Sequence, residues 1–246
     1  MGDAETQFCP IAQASEVVAE KWTPLILREL LMGVRRFSEL QRGIPLVSPA
    51  LLSKRLSTLE RAGIVDKREV DGDERGYEYV LTRAGEELRP VIVGLGEWGL
   101  RWLRRKVEYH ERDAAVLMWD VRRRIAPGQI EDLPVVIHFE LRGVPQETRL
   151  WWLVVERDGG VDLCLKPPGH EVDLSIVTAL ETMIDVWLGY RALGDVIDGG
   201  EMRIEGDCQL CESIEEWLGF SVFADTPRPE NREDGAIGEG EEQRTV

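Results

Sequence analysis

The feature that most constrains the fold is a helix pattern that occurs twice in the first third of the chain. Thr23-Pro24 precedes LILRELLM and Gly33 follows it, while Ser48-Pro49 precedes ALLSKRLSTLERA and Gly63 follows that segment. A capping residue, a proline in the first turn and a glycine after the last turn mark a helix with fixed ends. FSELQR predicts a shorter helix between the two, so we expect a helix, a turn and a second helix.

Two alternating segments follow the second helix. VDKREV and YEYVLT alternate apolar and polar residues, and the Gly/Asp-rich segment DGDERG joins them. Alternation on both sides of such a turn is typical of a β-hairpin. The order helix, turn, helix, hairpin predicts a winged helix-turn-helix, in which the hairpin is the wing.

The second helix has one apolar face and one polar face. At 100° per residue, Leu52, Leu56 and Leu59 form one stripe and Lys54 lies opposite. In a helix-turn-helix, the outer face of this helix enters the major groove of DNA, with its N-terminal residues nearest the bases. The helix alone is typical of an ordinary amphipathic helix with a solvated face, but the unbroken order of elements disfavours that alternative.

Small residues at the start of this helix would permit close approach to DNA, and its basic residues would reach phosphates or guanine edges. An arginine at the tip of the hairpin would reach an adjacent groove or phosphate. The predicted contacts to double-stranded DNA are Arg36, Ser38, Ser48, Ala50, Leu51, Lys54, Arg55, Thr58 and Arg75.

The charge of the chain is unevenly distributed. The 246 residues include 30 Lys+Arg and 46 Asp+Glu, but residues 1–110 hold 17 of each. The remaining 13 basic and 29 acidic residues give the second part the whole net charge of -16. Such asymmetry predicts separate domains, at 1–110 and 111–225, followed by a disordered acidic tail at 226–246. Charges beyond about 8 Å are largely screened at physiological salt, so the second part does not prevent the first from meeting DNA.

Several motifs in residues 8–105 resemble the HxlR-type winged-helix regulators. They are Cys9-Pro10, Lys21-Trp22-Thr23, Arg36-Phe37-Ser38-Glu39-Leu40, Ser48-Pro49 with Leu52, and Leu81-Thr82 with Gly85. The resemblance implies a dimeric prokaryotic transcriptional regulator that places one recognition helix per subunit in successive major grooves. The acidic wing turn DGDERG departs from it and implies weaker or shorter wing contacts.

A long apolar segment after Thr82 predicts the self-association helix. In AGEELRPVIVGLGEWGLRWLRRK, apolar residues recur at three- and four-residue steps, and Pro90 is expected to kink or split the helix. Gly96 and Gly99 on adjoining turns would let another helix approach closely. The alternative is that this helix packs back onto its own domain.

The cysteines and histidines are the candidate reactive or metal-binding groups. Cys9 directly precedes a predicted helix, where a thiol pKa can be lowered, so Cys9 is a redox-sensor candidate as well as a small apolar filler. Cys208 and Cys211 form a CxxC, but Cys164, His138 and His170 lack paired ligand spacing, which favours a packed thiol over zinc. We therefore predict no metal, no cofactor and no enzyme activity.

The second part of the chain has an α+β pattern. AAVLMWDVRRRI predicts a helix, and LPVVIHFEL, TRLWWLVVER and VDLCLK predict a three-stranded meander. SIVTALETMIDVWLGY is expected to be one apolar helix, followed by the short helix ALGDVIDGG. EMRIEG predicts a strand, and CQLCESIEEWLGF predicts a last helix.

Residues 112–224 resemble the sterol carrier protein-type domains, most clearly in the helix, Gly-Gly turn, strand and helix near the end. This resemblance implies a sheet and helices around an apolar tunnel for a hydrophobic ligand. The alternative is that the same apolar residues fill the core. The predicted ligand-binding residues are Trp151, Leu163, Leu165, Ile176, Leu180, Met183 and Trp187.

The whole chain is thus predicted to be α+β, with a mostly helical winged helix-turn-helix and a sterol carrier protein-like domain. We expect a homodimeric, cytoplasmic transcriptional regulator without membrane association, whose second domain binds a hydrophobic small molecule and modulates DNA binding. One alternative is a lipid-binding protein whose winged helix serves protein contacts. Another is a Cys9-based redox sensor in which the second domain only braces the dimer.

Overall fold

The computed structural model describes residues 8–70, 76–103 and 114–227. Their buried apolar side chains form two large clusters, one within residues 26–92 and the other within residues 114–218. We call residues 8–103 the N-terminal unit and residues 114–227 the C-terminal unit. The boundary at residue 110 and nearly all of the tail lie outside the described residues, so both remain predictions.

The N-terminal unit contains helices and one two-stranded sheet. Its elements are α1 (Pro10–Val18), α2 (Thr23–Leu31), α3 (Phe37–Gly43), α4 (Pro49–Arg61), β1 (Val65–Glu69), β2 (Tyr77–Leu81), α5 (Arg83–Glu86) and α6 (Arg89–Trp102). The predicted order of helix, turn, helix and hairpin is confirmed.

The start of α4 follows the sequence signals, but the start of α2 does not. The Ser48 hydroxyl accepts a hydrogen bond from the Leu51 amide at 3.3 Å, and Gly63 after α4 has φ +70°. The residue that caps α2 is Trp22, not Thr23, because the Thr23 amide already donates to the Glu20 carbonyl in a preceding turn. Trp22 adopts φ +78° to leave that turn, and Thr23 is buried in the first turn of α2.

The hairpin and the helices after it are joined by Thr82. Strands β1 and β2 pair antiparallel from Val65↔Leu81 to Glu69↔Tyr77. The Thr82 hydroxyl accepts from the Gly85 amide and donates to the Gly63 carbonyl, which ties α5 to the end of α4. The predicted long helix is divided into α5 and α6, because Pro90 stands in the first turn of α6.

The C-terminal unit is α+β. Its elements are α7 (Ala114–Arg124), β3 (Val135–Arg142), β4 (Leu150–Val155), β5 (Val161–Cys164), β6 (Leu174–Ala179), α8 (Leu180–Trp187), α9 (Leu193–Asp198), β7 (Met202–Gly206), α10 (Cys208–Glu212) and α11 (Ile214–Trp217). The meander of β3, β4 and β5 is confirmed, and the predicted last helix consists of two short ones.

Five strands form one sheet in the order β5-β4-β3-β6-β7. Strands β3 and β6 are parallel, and the other neighbours are antiparallel. Alternate residues of β3, namely Ile137, Phe139 and Leu141, belong to the same buried core as side chains of α7 to α11. The helices therefore pack on one face of the sheet.

The expected single helix over SIVTALETMIDVWLGY is wrong in its first part. Residues 174–179 form β6, and only residues 180–187 form α8. Ile176, Val177 and Thr178 are β-branched, and β6 pairs on both sides with β3 and β7, so tertiary pairing favours the strand. A continuous apolar run does not by itself separate a buried strand from a buried helix.

The helices of both units are short. Among residues 8–70, 76–103 and 114–227, none is both long enough and apolar enough to cross a membrane.

Candidate nucleic-acid interface

Helix α4 is held on the N-terminal unit by its leucine stripe. Leu52, Leu56 and Leu59 are fully buried in one core with side chains of α2 and α3. Because successive helical residues turn by about 100°, the opposite side of α4 must face away from that core. The predicted inner and outer faces are therefore both present in the fold.

The outer face of α4 consists of small and basic side chains, and all of them are exposed. We call this set the open face: Ala50, Ser53, Lys54, Ser57 and Arg61. Ser53 was absent from the predicted contacts, although its position three residues after Ala50 places it on the same face. Strict helical spacing alone would have found it.

The N-terminal end of α4 is shaped for close approach to another molecule. Ser48 and Ala50 are exposed, and neither has a side chain long enough to keep a partner at a distance. The first amide groups of a helix carry partial positive charge and suit a phosphate. Leu51, by contrast, is half-buried and packs against the core.

Lys54 stands at the centre of the open face. Its side chain is exposed, and it makes no ion pair with any residue that the structure describes. Beside it, the Thr58 hydroxyl donates to the Lys54 carbonyl at 3.1 Å and accepts from Arg61 Nη2 at 3.1 Å. The Lys54 ammonium is therefore exposed and without an ion pair among the described residues, whereas Arg61 is held along the helix.

Arg55 points away from the open face. Its Nη2 atom lies 2.5 Å from a Glu20 carboxylate oxygen, and only 14% of its side chain is exposed. Its Nε atom is buried without a hydrogen-bond partner among the described residues. This arrangement indicates that Arg55 stabilises the packing of α4 against the segment before α2, and it does not support the predicted DNA contact.

The residues before and within α3 lie beside the hairpin. Arg36 caps α3, and its Nε lies 3.7 Å from Glu78 on β2. The Tyr79 amide also donates to the Arg35 carbonyl at 2.9 Å, which extends the hairpin sheet by one connection. Ser38 is exposed in the first turn of α3. Arg36 is therefore positioned by contacts to the hairpin, which differ from the contacts that hold α4.

The wing can be followed only along its strands. Arg75 and most of the turn DGDERG lie outside the described residues, so the predicted contact of Arg75 stays a prediction. On the strands, Lys67 lies 3.9 Å from the centre of the Tyr77 ring, and Arg68 pairs with Asp66 at 3.1 Å. The cations of the described wing strands, Lys67 and Arg68, are thus paired with neighbouring side chains of the wing.

The cysteines are free thiols in the described residues. Cys9 is half-buried, and its carbonyl accepts the first hydrogen bond of α1 from the Gln13 amide at 3.1 Å. Burial raises the pKa of the Cys211 thiol, and the nearby Cys208, Asp207 and Glu212 act in the same direction. A raised pKa disfavours the thiolate that a metal or an oxidant would need.

Most of the predicted ligand-binding residues share one core. Trp151, Ile176, Leu180, Met183 and Trp187 are buried together between the sheet and its helices, and Leu163 packs against them from its partly buried position. Leu165 lies apart, because it follows the end of β5 and its side chain is 57% exposed.

A cavity of about 680 Å³ lies elsewhere in the C-terminal unit, beside the segment 129–135 and α10. Its charged lining is mainly acidic: Glu131, Asp132, Asp173, Asp207, Glu212 and Glu216, with Arg157 as a cation. None of the predicted ligand-binding residues lines it. In the described parts of the chain, no group of three His, Cys, Asp or Glu side chains could hold a metal ion.

Comparison with known proteins identifies relatives of the N-terminal unit. The family model of the HxlR-like helix-turn-helix matches residues 17–107. An uncharacterized HTH-type transcriptional regulator of Mycobacterium tuberculosis is 43% identical over 95 residues, which are 39% of this chain and 60% of that protein. The regulator YvaP of Bacillus subtilis is 32% identical over 100 residues, which are 40% of this chain and 93% of YvaP.

The match covers only part of this chain and only part of some relatives. The chain spans 60% of the length of its M. tuberculosis relative, and residues beyond 107 lie outside the family match. The solved structure of the redox regulator HypR in its reduced form is 30% identical to the chain. The aligned part is 37% of this chain and 90% of the HypR chain, with a TM-score of 0.35.

Proposed function

The chain belongs to the HxlR-like helix-turn-helix family, and we propose that it is a transcriptional regulator that binds double-stranded DNA through α4. The observation that carries this proposal is the open face, where an exposed lysine without a described ion-pair partner stands among small residues. Helix α4 is the second helix of the helix-turn-helix, the element that enters the major groove in such proteins.

The open face and the residues around it would have separate roles. Ser48 and Ala50 would let the first turn of α4 approach a phosphate or base edge closely. Lys54 would reach phosphates or guanine O6 and N7 atoms. Arg36 and Ser38 would contact the backbone beside the groove, and Arg75 would do so from the wing. Thr58 would orient Arg61 rather than contact bases.

We propose that the protein acts as a homodimer through α6. Val91, Leu95 and Trp98 are each more than half exposed on one side of α6, although they are large and apolar. Such a stripe is characteristic of a surface that a partner covers. Gly96, expected to admit another helix, instead packs against the Phe223 ring of the same chain, so the outer side of α6 is the better candidate surface.

For the C-terminal unit we propose a regulatory role. Its five-stranded sheet with helices on one face supports the resemblance to sterol carrier protein-type domains. Because most of the predicted ligand-binding residues are buried in one core, a hydrophobic molecule would have to displace some of them to enter. Native mass spectrometry of the purified protein would reveal a co-purified ligand together with the number of subunits.

The decisive experiment is an anisotropy titration of the full chain against its own upstream DNA at several salt concentrations. We expect specific binding whose association constant falls steeply as salt is added. On a plot of the logarithm of that constant against the logarithm of the salt concentration, each neutralised phosphate contributes about -0.9 to the slope. Half-sites should lie about one helical turn or a multiple apart. Weak binding without salt dependence would favour the alternative in which the winged helix contacts proteins.

A further inference from the structure

A buried carboxylate lies at the junction of the two units and has no role in the open face. Glu29 of α2 is fully buried in the N-terminal unit. Its Oε1 atom accepts from Arg28 Nη2 at 2.6 Å. Its Oε2 atom accepts from Arg123 Nη1 of α7 at 2.6 Å, so one of its two partners comes from the C-terminal unit.

The end of α3 is fitted closely around this carboxylate. Gly43 is the last residue of α3, and a Cβ atom there would overlap Glu29 Oε2. Arg28 Nη2 also donates to the Gly43 carbonyl at 3.4 Å. Glu29 therefore connects α2, α3 and α7 at a single point.

The side chains of α7 complete the junction. Arg123 is 11% exposed and pairs with Asp120 as well as with Glu29. Burial acts to lower the pKa of Arg123, but hydrogen bonds to Glu29 and Asp120 and their charges raise it overall, so the guanidinium stays charged. A buried charge of this kind is stable only while its partner is in place.

Trp119 of α7 covers the same junction. Its ring is almost fully buried, and the guanidinium carbon atoms of Arg122, Arg42 and Arg123 lie 4.9, 5.9 and 5.9 Å from its centre. Arg42 belongs to α3, so the ring also joins the two units. Cations over an indole face attract it, and more strongly where water is excluded.

The junction is continuous with the sheet on one side and with α4 on the other. Arg122 Nε donates to the Val161 carbonyl of β5 at 2.6 Å. Within the helix-turn-helix, Gln41 of α3 donates to the Val47 carbonyl at 2.5 Å, next to the cap of α4. A shift of α7 relative to the sheet would therefore be transmitted to α3 and the turn that precedes α4.

We propose that this junction is a positioning device that couples the C-terminal unit to the helix-turn-helix. We call it the coupling cluster: Arg28, Glu29, Arg42, Gly43, Trp119, Asp120 and Arg123. Its α7 members lie outside the family match at 17–107, so the coupling is a property of the unit that this chain adds. The proposal rests on the proposed function, because it gives the C-terminal unit a route to the DNA-binding helix.

The physical reason for coupling is that the cluster has few intermediate arrangements. If α7 moves away, Glu29 keeps Arg28 but loses Arg123, and Arg123 keeps only Asp120. A buried charge is strongly destabilising once its partner is withdrawn, so we expect the contact to be either fully made or fully broken. A contact with two discrete arrangements can connect distant sites when both bias it.

Hydrogen exchange of the full chain tests the coupling without reference to DNA. We expect Arg123→Met, a change in the C-terminal unit, to raise amide exchange about 10-fold or more in residues 23–43 of the N-terminal unit. Arg191→Met is the matched control, because Arg191 pairs with Glu201 at 2.6 and 2.7 Å within the C-terminal unit. Unchanged exchange in residues 23–43 of Arg123→Met would overturn the proposal.

Glu29→Gln tests the same coupling from the other side and keeps the shape of the side chain. We expect it to raise exchange in α7, because a coupling between two sites acts in both directions. The double variant Glu29→Gln/Arg123→Met should lose less stability than the two single losses added together. Strictly additive losses, or an effect of Glu29→Gln confined to α2 and α3, would contradict it.

The DNA titration separates this proposal from the proposed function. We expect Arg123→Met to change the DNA affinity by about 5-fold or more, the lower end of typical coupling between sites, and Arg191→Met to leave it unaltered. If the wild type binds no DNA but exchange still responds across the units, the proposed function fails and the coupling stands. If the wild type binds DNA and neither exchange nor affinity responds to Arg123→Met, the coupling fails alone.

Discussion

The open face and the coupling cluster use similar side chains in opposite ways. Lys54 is an exposed cation with no ion pair to any described residue, whereas Arg123 is a buried cation with two carboxylate partners. An exposed charge is solvated by water and needs no protein partner, but a buried charge destabilises the fold when its partner is removed. Substitutions at the two sites should therefore have different effects. Those in the open face should change DNA affinity, and those in the coupling cluster should change stability and the contact between the units.

The largest effect on stability is expected at Gly43. Gly43→Ala places a methyl group on Glu29 Oε2 and displaces the carboxylate from Arg123, so the free energy of unfolding should fall by about 3–5 kcal/mol. Gly194→Ala is the control, since a Cβ there meets nothing within 4 Å. Chemical denaturation measures both variants, and equal stabilities would mean that the junction tolerates displacement of Glu29.

A smaller loss is expected at Arg55. Arg55→Ala removes the pair with Glu20, and because Glu20 is about half exposed we expect a cost of about 1–2 kcal/mol in the free energy of unfolding. Thermal unfolding would detect the loss. If stability were unchanged while DNA affinity fell, Arg55 would belong to the open face after all.

The cap of α4 lies at the edge of the open face, and its effect should be smaller again. Ser48→Ala removes the hydrogen bond accepted from the Leu51 amide and should lower the free energy of unfolding by about 1 kcal/mol. Ser48→Asp retains a capping oxygen and should restore stability. A stability loss shared equally by both variants would show that the cap is not the cause.

Sequence patterns predicted the open face well but did not predict the coupling cluster. The stripe of Leu52, Leu56 and Leu59 determines which side of α4 is outermost, because helical periodicity is a local property. Glu29, by contrast, looks like an ordinary acidic residue on a helix surface. Its partner Arg123 is 94 residues away, and no local pattern indicates that α7 covers it.

Two other outcomes that the sequence did not predict also have long-range causes. Residues 174–179 form a strand because β3 and β7 pair with them on both sides, although the segment runs directly into an apolar helix. Gly96 packs against the ring of Phe223, which lies outside the family match, rather than against another helix. Propensity and periodicity describe the segment itself, and neither describes which distant segment covers it.

The central claim is that the open face, with Lys54 at its centre, binds DNA. An anisotropy titration at fixed salt should compare Lys54→Ala with Arg55→Ala, two adjacent cations of α4 with opposite surroundings. We predict that Lys54→Ala binds upstream DNA about 5-fold or more weakly, with a free energy of unfolding within about 0.5 kcal/mol of wild type. Arg55→Ala should bind like the wild type wherever it is folded. Wild-type affinity for Lys54→Ala would contradict the claim.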